Sequence, residues 1–477
     1  MASPPVDVDL GKLSYEIFSL LESNFLFGGA RGAGAGACSL PGTPARAAVL
    51  GGAGGGSTGR VRVLAIDGCG PGPGDALLAA AALMRLEAAL RDKAGDPDAR
   101  VADFFDAAAG AGAGGVLAAM LFLRGGDGRP RYAAADAMAF VAASLGKGGW
   151  CGRRRRWTAL FRRPDKSLRR VFGDATLRDT VAPLLVPCYD LATGAPFLFS
   201  RADAVESDGF DFHLRDVCAA TCASGTTATA IRSVDGRTAI AAASGGVAAM
   251  GNPTAAAITH VLHNKQEFPL AAGVDDLLVV SIGSGSSSIS ATTTSSIWRT
   301  PLPPRSPSPA EMVRLTAEGV ADMVDQAVAM AFGHTCGRNY LRIQAASPAY
   351  STKELSSLDV KKMTAIANGM LTQRNVEAEL FRGRRLSEKS NREKLDAFAA
   401  ELVSEHDRRR TSPGLPNVVI KQAAAAATAT PRLSSATTAS SATATAKTVS
   451  TMPSPASLDS LPPLASASHG DRVGFPG

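Results

Sequence analysis

The sequence predicts an α/β fold: a central, mostly parallel sheet covered by helices on both faces, followed by a disordered C-terminal tail. Three observations lead there. Short apolar runs that end at Gly, Asp or Pro alternate with alanine- and leucine-rich stretches of strong helix propensity, the pattern of βα units. The hydrophobic fraction, 45% of 477 residues, suffices for one large core and excludes a wholly disordered chain. Beyond Thr411 the chain is Ala, Thr, Ser and Pro with few large apolar residues, which cannot offset the entropy of ordering.

Each element follows in order. Within residues 1–28, the run KLSYEIFSLLESNFLFG sets Leu13, Ile17, Leu20, Leu21 and Phe25 on one helical stripe. This amphipathic arm packs on the core or binds a partner or a membrane. Residues 29–59 form a Gly/Ala linker. The α/β core, 60–283, opens with VRVLAID (61–67), an apolar run ending in Asp-Gly and typical of a buried parallel strand. A helix is expected from Asp75 to about Leu90 and a second strand over Phe104–Ala109. GAGAGG (110–115) then leads into a helix, VLAAMLFL. Further strands are expected at Phe197–Ser200, Arg237–Ala241 and Leu277–Ile282. Residues 284–308 are a Ser/Thr/Pro-rich insertion, 309–410 return to amphipathic helix, and 411–477 form the tail.

Composition narrows the classes. Seven cysteines, an odd number without regular spacing, argue against a disulfide scaffold and for a reducing compartment. The opening MASPPVDVDLGK is acidic and has no apolar stretch of signal-peptide type. The longest charge-free apolar stretch, between Asp106 and Arg124, is Gly/Ala-rich and reads as a buried turn plus helix, not a membrane span. A cytoplasmic location is expected, with peripheral contact at the plasma membrane.

The net charge is +7, yet it is concentrated: nine basic residues stand between Arg153 and Arg170 against one acid, Asp165. One reading is a solvated loop or localisation signal. The other is an anionic membrane surface, with Arg153, Arg154, Arg155 and Arg156 attracted to head groups and Trp157 and Phe161 entering the interface. No nucleic-acid motif accompanies the charge, so no nucleic-acid partner is expected.

Two glycine-rich turns follow strands and precede helices: Asp67-Gly68-Cys69-Gly70 and Gly110-Ala111-Gly112-Ala113-Gly114-Gly115. Such turns aim backbone N–H groups at a negatively charged group. That serves a phosphate cradle, or the oxyanion turn and nucleophile elbow of an acyl hydrolase, or nothing beyond close packing. The phosphate reading lacks the Lys-Ser/Thr of a P-loop and an acidic residue some twenty positions on at the end of a following strand. A literal GxSxG around Ser57 lies in the linker and precedes a strand, which is the wrong context for a nucleophile. His260 and His263 stand three apart on an expected helix, and Cys218 and Cys222 four apart, without residues to complete a metal site. No metal and no cofactor are expected.

The order DGxG, then GxxxGG, then GGVAAxxNPT ahead of a long helix resembles the patatin-like lipid acyl hydrolases. With KLSYEIFSLLESNFLFG and NPTAAAITHVLHNK added, the chain most resembles the plant class III patatin-related phospholipases over roughly residues 10–405. The resemblance implies a Ser–Asp dyad on an α/β sheet, with oxyanion donors in the first turn. Carried over, the elbow serine position is Gly112, as in class III members, and the aspartate position is Ser244. The oxyanion donors are Gly68, Cys69 and Gly70; Pro71 has no N–H to give. Substitutes for the missing nucleophile would be Ser244 itself, Cys222 or Ser224. The implied function is hydrolysis of fatty-acyl esters of phospholipids and galactolipids, in lipid metabolism with a role in plant growth or defence. The alternative is a catalytically inactive patatin fold that binds lipid or regulates at membranes.

Overall fold

The computed structural model describes residues 59–68, 73–146, 165–223, 229–243, 251–283, 306, 309–345, 360–379, 383–411 and 418–420. Outside them lie the amphipathic arm 12–28, nearly all of the linker, Arg153–Arg156, Trp157, Phe161, Cys69, Gly70, Ser224, Ser244, the insertion 284–308 apart from 306, and the tail 411–477 apart from 411 and 418–420.

Along the chain run β1 (Val61–Ile66), α1 (Pro73–Ala94), β2 (Ala107–Gly110), α2 (Gly112–Phe122), α3 (Ala134–Gly146), α4 (Asp165–Phe172), β3 (Leu184–Asp190), β4 (Ala195–Ser200), α5 (Arg201–Glu206) and α6 (Leu214–Cys222). There follow β5 (Thr229–Arg232), β6 (Ala239–Ala243), α7 (Thr254–His263), β7 (Leu277–Ile282), α8 (Pro309–Phe332), β8 (Tyr340–Ile343), α9 (Val360–Thr372), β9 (Arg374–Glu379), β10 (Gly383–Ser390) and α10 (Asn391–Thr411).

The main sheet has the order β5-β6-β3-β2-β1-β7-β8, with β4 paired to β3 off this path. Strands β1, β2, β3, β7 and β8 are parallel, while β4 and β6 run antiparallel to β3. The mostly parallel α/β architecture expected from the sequence is therefore present. Alternation along each strand feeds two cores. Leu64, Ile66, Ala108, Val280 and Ile343 pack with α1, α2, α9 and α10 on one face. Val61, Val63, Ala107, Val279 and Tyr340 pack with α7 and α8 on the other.

Three local readings are corrected. Phe104 closes a 3-10 turn, Val101–Phe104, so the second strand starts only at Ala107. The strand expected over Arg237–Ala241 runs from Ala239 to Ala243, because Asp235 and Gly236 form the preceding turn. The stretch 309–410 is not helix throughout: β8 completes the sheet edge, and β9 and β10 form a separate antiparallel hairpin.

At the amino edge of the sheet, α10 is fastened across β1 by charge. Asp106 accepts from the Arg62 backbone N–H at 2.8 Å, from Arg62 Nη2 at 2.9 Å and from Arg409 Nη1 at 2.9 Å. Buried Glu405 accepts from the Arg60 backbone N–H at 2.8 Å. Burial pushes the Asp106 carboxyl up, but Arg62 and Arg409 outweigh it and hold the group below the ordinary aspartate value. A carboxylate with a depressed folded pKa stabilises above its unfolded value, about 4, and loses that contribution as pH falls through the folded value. Asp106→Asn is therefore expected to cost about 3 kcal/mol at neutral pH, since it leaves the buried Arg62 guanidinium without its counter-charge. The gap to the parent should narrow as the solution is acidified below about pH 4. Urea unfolding at several pH values measures it, and a gap independent of pH would refute the assignment.

Candidate functional site

The candidate site is built where β1, β2 and β7 end side by side. Ile66 pairs with Gly110 on one flank and with Ile282 on the other. The chain leaving β2 passes through extended Ala111 and enters α2 at Gly112, whose φ is +50°. A side chain there would sit in a strained region, the backbone feature of a nucleophile elbow. All eleven residues of α2 are buried, so its positive N-terminal end points into the sheet edge without a charged residue in its first turn.

The sharpness of the turn depends on missing Cβ atoms. One added at Gly114 would lie 2.4 Å from the Asp67 carbonyl oxygen and 2.5 Å from that of Ile66. One added at Gly110 would lie 2.4 Å from the Gly114 carbonyl oxygen. Helix α2 thus rests directly on the backbone that leaves β1, with Ala111 N–H donating to Ile66 O at 3.1 Å. The stretch between Asp106 and Arg124 is the buried turn plus helix that its composition suggested.

The N–H groups of Gly112 and Gly68 both have partners. Gly112 N–H donates to Thr221 Oγ1 at 2.9 Å, and the buried Thr221 hydroxyl donates on to Pro187 O at 2.7 Å. Gly68 N–H donates to Gly251 O at 2.8 Å, tying the first turn to the segment ahead of α7. Thr221 was not singled out from sequence; its neighbours Cys222 and Ser224 were. From Ala107 to Phe122 no residue carries a hydroxyl, thiol or carboxylate.

Asp67, the acid that opens the first turn, is 4% exposed and faces away from water. Arg342 on β8 grips it with two bonds, Nη1 to Oδ1 at 2.8 Å and Nη2 to Oδ2 at 2.5 Å. Arg342 Nη1 also donates to Ser281 Oγ at 2.7 Å, and Ser281 shares a 2.8 Å bond with Thr254 Oγ1 at the start of α7. Burial pushes the Asp67 carboxyl up and Arg342 opposes that push. Burial also works against the Arg342 charge, yet Asp67 outweighs it and holds the guanidinium above its ordinary value. Two parallel N–H···O bonds are the geometry of a charged pair, so both partners are taken as ionised.

A groove of about 830 Å³ lies along α7 and begins at Gly251, the residue that accepts from Gly68 N–H. It runs from Gly251 and Asn252 to Lys265, with Ala255, Ala256 and His260 on one wall and Val320 and Val324 of α8 on another. Neither Gly68 nor Gly112 lines it. His260 and His263 do lie on one helix, and no group of three or more His, Cys, Asp or Glu that could hold a metal occurs among the described residues. Cys188 and Cys218 are buried free thiols, and burial pushes Cys188 up to about 12, which leaves it unreactive. No described helix is long and apolar enough to cross a membrane.

Comparison with known proteins adds a family match and three relatives. Residues 64–258 match the family model described as patatin-like phospholipase. The chain is 53% identical over 404 residues to patatin-like protein 3 of Oryza sativa subsp. indica, covering 84% of this chain and 92% of the relative. It is 45% identical over 444 residues to patatin-like protein 7 of Arabidopsis thaliana, covering 88% and 86%. It is also 38% identical over 416 residues to an Arabidopsis thaliana relative named "probable inactive patatin-like protein 9", covering 84% and 94%.

Proposed function

The chain belongs to the patatin-like phospholipase family, and on that premise we propose that it hydrolyses fatty-acyl esters of phospholipids and galactolipids without the usual Ser–Asp pair. The observation that carries this reading is Gly112: its φ of +50° keeps an elbow at the end of β2 while the reactive side chain is absent. A water molecule then takes the place of the serine. Its oxygen bonds to the ester carbonyl carbon, the carbonyl oxygen becomes an oxyanion, and the acyl C–O bond breaks as the alcohol leaves with a proton.

The oxyanion donors in this reading are the N–H groups of Gly68, Cys69 and Gly70. Gly68 N–H must exchange its bond to Gly251 O for one to the oxyanion. Such a site is slow. Loss of the nucleophile in a serine protease costs about 10⁶ in kcat and leaves roughly 10³–10⁴ over water from oxyanion stabilisation and binding. In the same reading Arg153–Arg156, Trp157 and Phe161 hold the protein at an anionic membrane surface, each basic residue contributing about 1 kcal/mol.

A second reading is favoured by the same Gly112 together with Ser244: a lipid-binding or regulatory protein without turnover. One relative carries the word inactive in its name. Release of labelled fatty acid from phospholipid and galactolipid vesicles separates the two. The hydrolase reading expects the parent protein to exceed an unrelated protein, and a Gly112→Ser, Ser244→Asp variant to exceed the parent by about 10² or more. A silent parent beside an active double variant removes the hydrolase reading and leaves the binding one.

A further inference from the structure

Helix α8 is apolar on two sides. Inward, Val328 and Phe332 pack in the core, and Tyr340 O–H donates to Asp325 Oδ1 at 2.6 Å. Outward, Met312, Val320, Met323 and Met330 are 49%, 47%, 67% and 61% exposed. With exposed Thr316 and Ala327 they recur at 316, 320, 323, 327 and 330, an alternation of four and three residues. An outward helix face normally carries charge. A narrow stripe of this period is the seam of a helix–helix contact, since a lipid surface takes a broader apolar face. Asp322 beside the seam also disfavours an anionic bilayer. Val320 and Val324 continue the seam into the groove along α7, which leaves room for large side chains.

We propose that this seam is the docking site for the chain's own residues 12–28. Leu13, Ile17 and Leu20 repeat the same four-three spacing, and Phe25 extends the stripe. As a helix, Leu13 to Phe25 spans about 18 Å, against about 21 Å from Thr316 to Met330. The tether suffices. Residues 29–58, rich in glycine, have a root-mean-square reach of roughly 30 Å. They enter β1 at the amino edge of the sheet. Met330 lies at that same edge, because α8 leads through Gly333–Asn339 into the start of β8, two strands from β1. Tethering gives the arm an effective concentration near the millimolar range, which favours it over a second copy of the chain. This inference does not rest on the hydrolase reading.

Hydrogen exchange read by mass spectrometry on the full chain, and on a chain lacking residues 1–28, tests it. Deletion is expected to speed exchange of peptides covering Val320–Met330 at least tenfold with β1 and β7 unchanged, and added 12–28 peptide is expected to restore protection. Leu20→Asp and Met323→Asp in the full chain should each reproduce the deletion. Should the deletion also expose β1 and β7, the Leu20→Asp chain decides the matter. Unchanged α8 exchange overturns the proposal. So does protection that vanishes on dilution together with a dimer mass, or that arises only with anionic vesicles.

Discussion

Replacing Gly114 by alanine is expected to prevent the sheet edge from closing, with a loss of about 3 kcal/mol or more. The new Cβ would lie 2.4 Å and 2.5 Å from the carbonyl oxygens of Asp67 and Ile66. Neither is the free end of a side chain that can swing away. Either α2 lifts from β1, breaking the Ala111–Ile66 hydrogen bond, or the end of β1 shifts and pulls Asp67 out of register with Arg342. Both routes expose the wholly buried α2 to water. Gly126→Ala is the matched control, because a Cβ there meets nothing within 4 Å, and its effect should stay within about 0.5 kcal/mol. Urea midpoints of the two variants measure the contrast. Equal midpoints would mean that α2 does not sit on the β1 backbone as described.

Arg342→Leu is expected to cost about 3–5 kcal/mol, because it strands the Asp67 carboxylate in a site where water cannot reach it. The loss should extend beyond the pair. Ser281 loses its Arg342 contact, and Thr254, at the start of α7, depends on Ser281. Asp67→Asn combined with Arg342→Leu should cost less than the two single changes added together, because the double variant leaves no uncompensated charge. A double-mutant cycle in urea reads the coupling directly. Strict additivity would show that the two side chains do not share a charge-paired site.

The parallel core was legible because its strands announce themselves locally. The run at Leu277–Ile282 became β7 with the expected bounds, and VRVLAI became β1. Strand β3 was not read, since Pro187 interrupts it. The structure accommodates that proline between the residues paired with β2, Leu184 and Leu185, and those paired with β6, Tyr189 and Asp190. On that edge no strand is paired with it and its carbonyl serves Thr221, while on the other edge it stands opposite Leu198 of β4. The β9–β10 hairpin was missed because RNVEAE and GRRLSEKS are too polar to show strand alternation. At the site, the glycine run marked a tight strand-to-helix turn, and Gly112 stands in that turn with a φ of +50°. Asp67 and Arg342 are 275 positions apart, so nothing within either neighbourhood hinted at their pairing. Thr221 carries no motif; only its distance from Gly112 reveals it.

The fastening of α10 over the beginning of β1 has a consequence for biosynthesis. Arg60 and Glu405 are 345 positions apart, and Arg409 closes the same cluster onto Asp106. A nascent chain emerging from the ribosome therefore carries an open sheet edge and half-neutralised buried charges until nearly all of α10 has been translated. Translation that stops short of Arg409 yields a polypeptide whose first strand has lost its final clasp, a substrate for chaperones and proteases.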